Sequence, residues 1–165
     1  MKLQHPNIVF QTVRSPLGRL KLGAHPAAIV SLEFVDDSVE VAEQATPVLS
    51  LAVSQLIEYF GGTRKVFSVP LDPTGTHFQM NVWEELQKIP FGKTMSYQEL
   101  SRRLGDVKLI RAVAGANGRN PIPILIPCHR IIGKDGSLTG YSGGILNKKW
   151  LLQHESQVVQ NQLFT

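Results

Sequence analysis

Residues 120–131 read Asn120-Pro121-Ile122-Pro123-Ile124-Leu125-Ile126-Pro127-Cys128-His129-Arg130-Ile131. Three prolines bracket an apolar run, which pins its backbone and marks it for burial. At its end stands the only cysteine of the chain. No internal disulfide can form, and a cysteine-rich structural zinc site is excluded, because it needs several thiolates. A lone cysteine is ordinarily a small, inert core residue. A nucleophilic one needs an adjacent base or cation, since a thiol of pKa about 8.5 is only a few per cent thiolate at neutral pH. His129 and Arg130 supply both types in sequence. Neighbouring side chains need not point the same way, so the dipeptide alone leaves both readings open.

Working outward, Lys108 to about Asn117 is expected to be helical, with Ile110, Val113 and Ala114 inward. Ahead of it, Ser96-Tyr97-Gln98-Glu99 has the spacing of a capping box, and Leu100 and Leu104 continue an apolar face to Gly105. Two short helices joined by a glycine-containing turn make a helix-turn-helix candidate, or equally any αα-hairpin. Ala112, Ala114, Gly115 and Ala116 surround one long cation, Arg111. A helix this poor in polar side chains reads few base edges but allows close backbone approach, either to a shallow groove of DNA or to another helix. Thr76-His77-Phe78-Gln79 is a further capping box, opening a helix that Pro90 and Gly92 break.

Asp72-Pro73-Thr74-Gly75 is rich enough in turn formers to be a linker, so the boundary is placed between residues 75 and 76. Before it the chain reads as sheet with one helix. Ile8 to Val13 and Arg19 to Leu22 flank the turn Ser15-Pro16-Leu17-Gly18, and Ile29 to Phe34 alternates as another strand. Val48, Leu51, Ala52, Leu56 and Tyr59 recur at helical spacing from Pro47 to Phe60, and Phe67, Val69 and Leu71 predict a last short strand. Beyond the cysteine come two glycine-rich segments, Gly133-Lys134-Asp135-Gly136 and Gly140-Tyr141-Ser142-Gly143-Gly144. Neither has the Lys-Ser/Thr of a phosphate-binding loop, and a nucleotide site is discounted.

Charge is unevenly spread. Residues 1–90 hold 7 Lys/Arg against 9 Asp/Glu, whereas residues 91–165 hold 10 against 4. The basic second half is suited to a polyanion such as the DNA backbone. No stretch reaches the roughly 18 apolar residues of a membrane helix, and Met1–Pro6 has no apolar leader core. A cytoplasmic protein with no membrane partner is expected.

The segment Pro127-Cys128-His129-Arg130-Ile131 resembles the hallmark of the O6-alkylguanine-DNA alkyltransferases, Pro-Cys-His-Arg followed by Val or Ile. The resemblance extends to Ser96–Leu100, Arg111-Ala112-Val113, Asn120-Pro121, Tyr141–Gly144 and Trp150-Leu151-Leu152 with His154-Glu155, covering essentially all of residues 76–155. It implies an α/β N-terminal domain, a ribonuclease-H-like sheet plus helix over 1–75, and a mostly α-helical C-terminal domain with a helix-turn-helix over 76–165. It further implies direct repair of O6-alkylguanine in duplex DNA by a monomer, through irreversible, single-turnover transfer of the alkyl group to a cysteine, with O4-alkylthymine an open second substrate. Cys128 would be the acceptor, His129 the base acting through a water, Glu155 the carboxylate orienting His129, and Asn120 the brace of the turn that carries the thiol. Tyr97 would donate to the guanine ring, Arg111 would fill the stack vacated by the flipped nucleotide, Tyr141 would lie against the base, and Ser142 would offer hydrogen bonds near its oxygen. No cofactor is implied. The zinc that some members hold in the N-terminal domain is not expected, since that domain has no cysteine here. Related non-transferring proteins carry another residue at the acceptor position, often Trp, and Cys128 argues against that group.

Two other classes stay in view: a helix-turn-helix regulator in which Cys128 is structural, and a Cys-His hydrolase. The regulator would need a dimerisation helix, and the hydrolase an oxyanion hole and an acyl substrate.

Overall fold

The computed structural model describes residues 7–163, so Met1–Pro6, read for a leader, lies outside the described residues. The chain forms two compact units, Met1–Pro73 and Thr74–Thr165. In the first, β1 (Val9–Ser15), β2 (Gly18–His25) and β3 (Ala28–Val35) form an antiparallel meander in that order. The β1–β2 turn has only Pro16 and Leu17 between its strands, and Gly18 closes it at φ +96°, which a side chain would resist. Period-two alternation buries Leu20, Leu22 and Leu32 beneath α1 (Pro47–Phe60). Thr46 caps α1 by accepting from the Leu49 amide, Pro47 occupies its first position, and Val48, Leu49, Ala52, Leu56 and Tyr59 form its buried face. Leu51, expected on that face, is exposed.

The strand expected at Phe67–Leu71 does not form. Pro70 has no amide to donate, and the Ser68 and Val69 amides are taken by the Oε1 of buried Gln55, at 3.0 and 3.2 Å. What remains is one bridge between Ile29 and Leu71.

In the second unit α2 (His77–Leu86) begins with a complete capping box: the Gln79 amide donates to Thr76 Oγ1 at 3.1 Å, and the Thr76 amide to Gln79 Oε1 at 2.9 Å. Then follow β4 (Met95–Ser96), α3 (Tyr97–Arg103), α4 (Ile110–Gly118), β5 (Ile131–Ile132) parallel to β4, and the long α5 (Ile145–Leu163). Ser96 caps α3 through the Glu99 amide, but the Glu99 carboxylate pairs with Arg102 and Arg103 instead of closing a box.

The expected Lys108–Asn117 helix is shorter. Asp106 caps a single 3-10 turn over Val107–Leu109, and α4 proper starts at Ile110. Its inward face is Val113, Ala116 and Asn117, packed on α2 and α3, and Trp83 of α2 donates its indole N–H to the Ala116 carbonyl at 2.9 Å. Ile110 and Ala114, expected inside, are exposed, as are Ala112 and Gly115. Of the small residues, Ala112, Ala114 and Gly115 thus face outward, whereas Ala116 packs inward against α2. Among those residues no helix is long and apolar enough to cross a membrane.

Candidate active site

The 120–127 segment is irregular backbone held from within. Asn120 Nδ2 donates to the Ile126 carbonyl at 2.8 Å, while its Oδ1 accepts from the Ile122 amide at 3.0 Å, so one amide group ties both ends of the loop. Ile122, Ile124, Leu125 and Ile126 are all buried. Ile124 takes φ +73°, a left-handed conformation costly for a β-branched residue, on the order of 1–3 kcal/mol. Pro127, at φ −81° and ψ 62°, then makes an inverse γ-turn in which the Cys128 amide donates to the Ile126 carbonyl at 2.8 Å. Cys128–Arg130 form one 3-10 turn that runs into β5.

This turn sends three consecutive side chains in different directions. Cys128 is 4% exposed, and burial pushes its thiol up to about 11, against the opposing pull of the Asn120 side chain and the Lys148 charge. His129 is fully buried, and desolvation lowers its pKa despite the neighbouring carboxylate of Glu155, so the ring is neutral at physiological pH. Its Nε2 lies 2.7 Å from Glu155 Oε2. A carboxylate there accepts, so the proton of the neutral ring sits on Nε2 and the Nδ1 lone pair is left bare. Nδ1 is buried and has no protein partner among the described residues.

Arg130 turns to Glu155 from the other side. Its Nε and a terminal nitrogen reach the two carboxylate oxygens at 2.8 and 3.0 Å, and the other terminal nitrogen donates to the Ile89 carbonyl at 2.7 Å. The Gly92 amide adds a bond to Glu155 Oε1 at 3.2 Å. Burial would raise the Glu155 pKa, but the hydrogen bonds from His129 and Arg130 and the Arg130 charge hold it far below the usual carboxylate range.

Lys148 of α5 is fully buried, donating to the carbonyls of Ile131 at 2.6 Å and Thr139 at 3.2 Å. Burial lowers its pKa, and the Cys128 charge works in the opposite direction. The Tyr97 hydroxyl donates to the same Thr139 carbonyl at 3.2 Å. Tyr141 has its hydroxyl buried, and its pKa rises well above normal through burial first and then the charges of Cys128 and Glu155.

Of the residues singled out by sequence, Cys128, His129, Glu155 and Asn120 form one buried cluster, and Tyr141 reaches it. Tyr97 and Arg111 line a cavity of about 340 Å³ together with Ile110, Ala114, Gly118, Thr139 and Gly140. Ser142 is exposed on its loop, outside the buried network. Two side chains at this cluster depart from the sequence reading or are missing from it. Arg130, read as a cation for the thiol, is committed to Glu155, and Lys148 is the cation whose charge acts on Cys128. Among the described residues no group of three or more His, Cys, Asp or Glu is placed to hold a metal ion.

A buried thiol, followed in the chain by an imidazole hydrogen-bonded to a buried carboxylate, is a constellation that a cysteine nucleophile with a proton acceptor would use, carried on a small helical unit that follows a three-stranded sheet unit in the chain. Residues 8–73 match the family model of the 6-O-methylguanine DNA methyltransferase ribonuclease-like domain, and residues 77–157 that of its DNA binding domain. The chain belongs to this 6-O-methylguanine DNA methyltransferase family. A methylated-DNA–protein-cysteine methyltransferase of Mycobacterium tuberculosis is 44% identical over 152 residues, covering 90% of this chain and 92% of its own. The constitutive one of Bacillus subtilis is also 44% identical, covering 81% and 86%. Among solved structures, the M. tuberculosis O6-methylguanine methyltransferase superposes with a TM-score of 0.84 at 40% identity over 96% of this chain and all of that one. The same organism's OGT in complex with DNA gives 0.82 at 43%, covering 90% and 93%.

Proposed function

We propose that this chain repairs O6-alkylguanine in duplex DNA by moving the alkyl group onto Cys128 Sγ, once per molecule. The observation that carries the reading is the buried His129–Glu155 pair beside the only thiol, with the imidazole proton turned to the carboxylate and Nδ1 left as a base. The thiol proton passes through a water to Nδ1, the sulfur attacks the alkyl carbon, and the carbon–O6 bond breaks as the carbon–sulfur bond forms. The guanine departs with the bonding pair on O6. Tyr97, leaving the Thr139 carbonyl, donates to the ring to stabilise that charge. The products are a thioether on Cys128 and restored guanine, and with no second cysteine in the chain nothing removes the alkyl group.

We assign residues 76–165 to DNA binding and transfer and residues 1–75 to a ribonuclease-H-like structural domain. On this reading α3 and α4 form a helix-turn-helix, whose outward Ala112, Ala114 and Gly115 bring the α4 backbone close to the duplex while Arg111 fills the stack left by the flipped nucleotide. Tyr141 and Ser142 belong to the loop that closes over the base. We further propose that it acts as a monomer in the cytoplasm. The match to relatives named for cysteine methyl transfer, one of them from an organism whose OGT was solved with DNA, supports this over a regulator or a hydrolase.

The test is a duplex with a radiolabelled methyl on guanine O6. Label is expected on protein, reaching a plateau at one methyl per chain on the Cys128 peptide, and none on Cys128→Ala. Turnover well beyond one equivalent, or label accepted by the alanine variant, would overturn the assignment.

A further inference from the structure

The segment after α2 reaches both members of the buried ion pair. The Ile89 carbonyl accepts from Arg130 at 2.7 Å, Arg130 Cζ stands 5.8 Å from the centre of the Phe91 ring, and the Gly92 amide donates to Glu155 Oε1 at 3.2 Å. The Lys93 amide donates to the Pro90 carbonyl at 3.1 Å, which closes a β-turn with Phe91 and Gly92 at its centre. Gly92 has φ +78° whereas Phe91 keeps a negative φ, so the turn is type II. Type I and type II turns differ chiefly in the central peptide, which is flipped through roughly half a turn. Here that peptide carries the Gly92 N–H. In a type I turn the Phe91 carbonyl would point toward Glu155 instead, one acceptor against another. A left-handed third residue keeps the donor on the carboxylate, and glycine takes that conformation with no side chain to resist it. Space is short as well: a Cβ on Gly92 would stand 2.7 Å from Val159 Cγ2 of α5.

We propose that Gly92 is a positioning residue for alkyl transfer: its left-handed φ sets the type II turn whose N–H holds the Glu155 carboxylate against His129. The inference rests on the reading of Cys128 as the alkyl acceptor and His129 as its base. Glu155 Oε2 serves the imidazole and one terminal nitrogen of Arg130, while Oε1 serves Arg130 Nε and the Gly92 amide. The amide thus bonds the oxygen that the imidazole does not use. Turning the peptide over would replace this donor by the negative end of a carbonyl dipole. Glu155 and the imidazolium of His129 would then both hold their protons more tightly, and a base that must start neutral would be available only at higher pH. The other charged and titratable groups acting on this pair are Arg130 beside Cys128, Lys148 on α5, and Tyr141 on its loop. All are the same in every Gly92 variant.

The test follows single-turnover methyl transfer from an O6-methylguanine duplex across pH, in a Val159→Ala background that clears space for a Cβ. Gly92→Ala and Gly92→Asn are compared there. Asparagine is larger than alanine but enters the left-handed region far more readily. Gly92→Asn is expected to keep the acid limb of the background. Gly92→Ala should move that limb up by about one pH unit, which is about tenfold in rate at any pH on it. Crowding alone would rank the two variants by size, and a loosened fold would slow transfer alike at every pH. An acid limb unmoved in Gly92→Ala, or moved as far or further in Gly92→Asn, would overturn the proposal. The wild type offers a measurement that needs no variant: bonded to an anion, the Gly92 amide proton should resonate downfield and exchange with solvent about a hundredfold more slowly than a free amide. Exchange at the free-amide rate would overturn the proposal equally, even if the variants fail to fold. Absence of transfer by the wild type would instead overturn the alkyl-acceptor reading, and this inference with it.

Discussion

Replacing Arg130 with Met tests whether the site depends on a clamped carboxylate. The guanidinium makes two hydrogen bonds to Glu155, beside those from the His129 ring and the Gly92 amide, and one to the Ile89 carbonyl. Met fills much of the volume but leaves the buried Glu155 without its cation. Removing one member of a buried ion pair costs about 3–5 kcal/mol, because the other charge stays desolvated. With a urea dependence of about 1–3 kcal/mol/M, the midpoint should fall by more than about 1 M. Both tryptophans, Trp83 and Trp150, lie in the C-terminal unit, so their fluorescence during urea unfolding reports on the unit in question. Glu155→Gln, which strands the guanidinium, should cost a similar amount. Arg130→Met combined with Glu155→Gln removes both charges and should recover much of the loss, while methyl transfer stays slow because the imidazole has lost its anion. A cost below about 1 kcal/mol for Arg130→Met, or a double variant whose loss equals the sum of the singles, would refute the argument.

Alkaline unfolding should expose the buried thiol: its folded pKa of about 11 lies above the ordinary 9.0, so stability is intact below 9.0 and declines as pH rises toward 11. Two units correspond to about 2–3 kcal/mol, and Cys128→Ala should lose less than the wild type by that amount, as pH-dependent urea midpoints would reveal. Lys148→Met, by removing the cation that acts on Cys128, should raise the thiol pKa further and slow transfer about tenfold per unit; an unchanged pH–rate profile would remove Lys148 from the mechanism. DNA affinity should fall steeply with salt and vary little with sequence, and Arg111→Ala should slow repair of the duplex more than reaction with free O6-methylguanine base, whose extraction needs no unstacking; equal losses would contradict insertion into the stack.

Periodic and capping signals carry most of the fold. The β1–β2 hairpin, α1 and the Thr76 capping box are legible because each is decided by residues within a few positions of one another. The failures share a cause. Phe67–Leu71 alternates like a strand, but a glutamine on another element takes its amides, and nothing local announces Gln55. The inward face of α4 differs from expectation because Ile110 is more apolar than Ala116, yet the contact with Trp83 and α3 sets the rotation of the helix. In the site, the hallmark run marks Cys128 and His129, whereas the direction of Arg130 depends on Glu155, 25 residues away. Lys148 does leave a trace: with Leu151 and Glu155 it falls at i, i+3 and i+7 on one face of α5, and all three are buried. A lysine on the apolar stripe of a helix signals a partnered charge, and that spacing stands in the amino-acid sequence itself.

On the proposed mechanism, Arg130 also fixes which way the proton can travel. A buried carboxylate beside an imidazole could itself take the ring proton, because burial favours the neutral acid. The bidentate guanidinium works against this by holding Glu155 ionised far below its ordinary range. Glu155 therefore stays an acceptor, the proton stays on His129 Nε2, and the basic lone pair stays on Nδ1. When Nδ1 takes the thiol proton, the resulting imidazolium faces an anion already in place, so no carboxylate has to ionise during the reaction. The same geometry explains why the resting thiol need not be a thiolate: at a pKa of about 11 and 4% exposed, it is guarded from adventitious electrophiles. The nucleophile forms only as the proton leaves for a base whose tautomer Glu155 sets and whose carboxylate partner Arg130 secures.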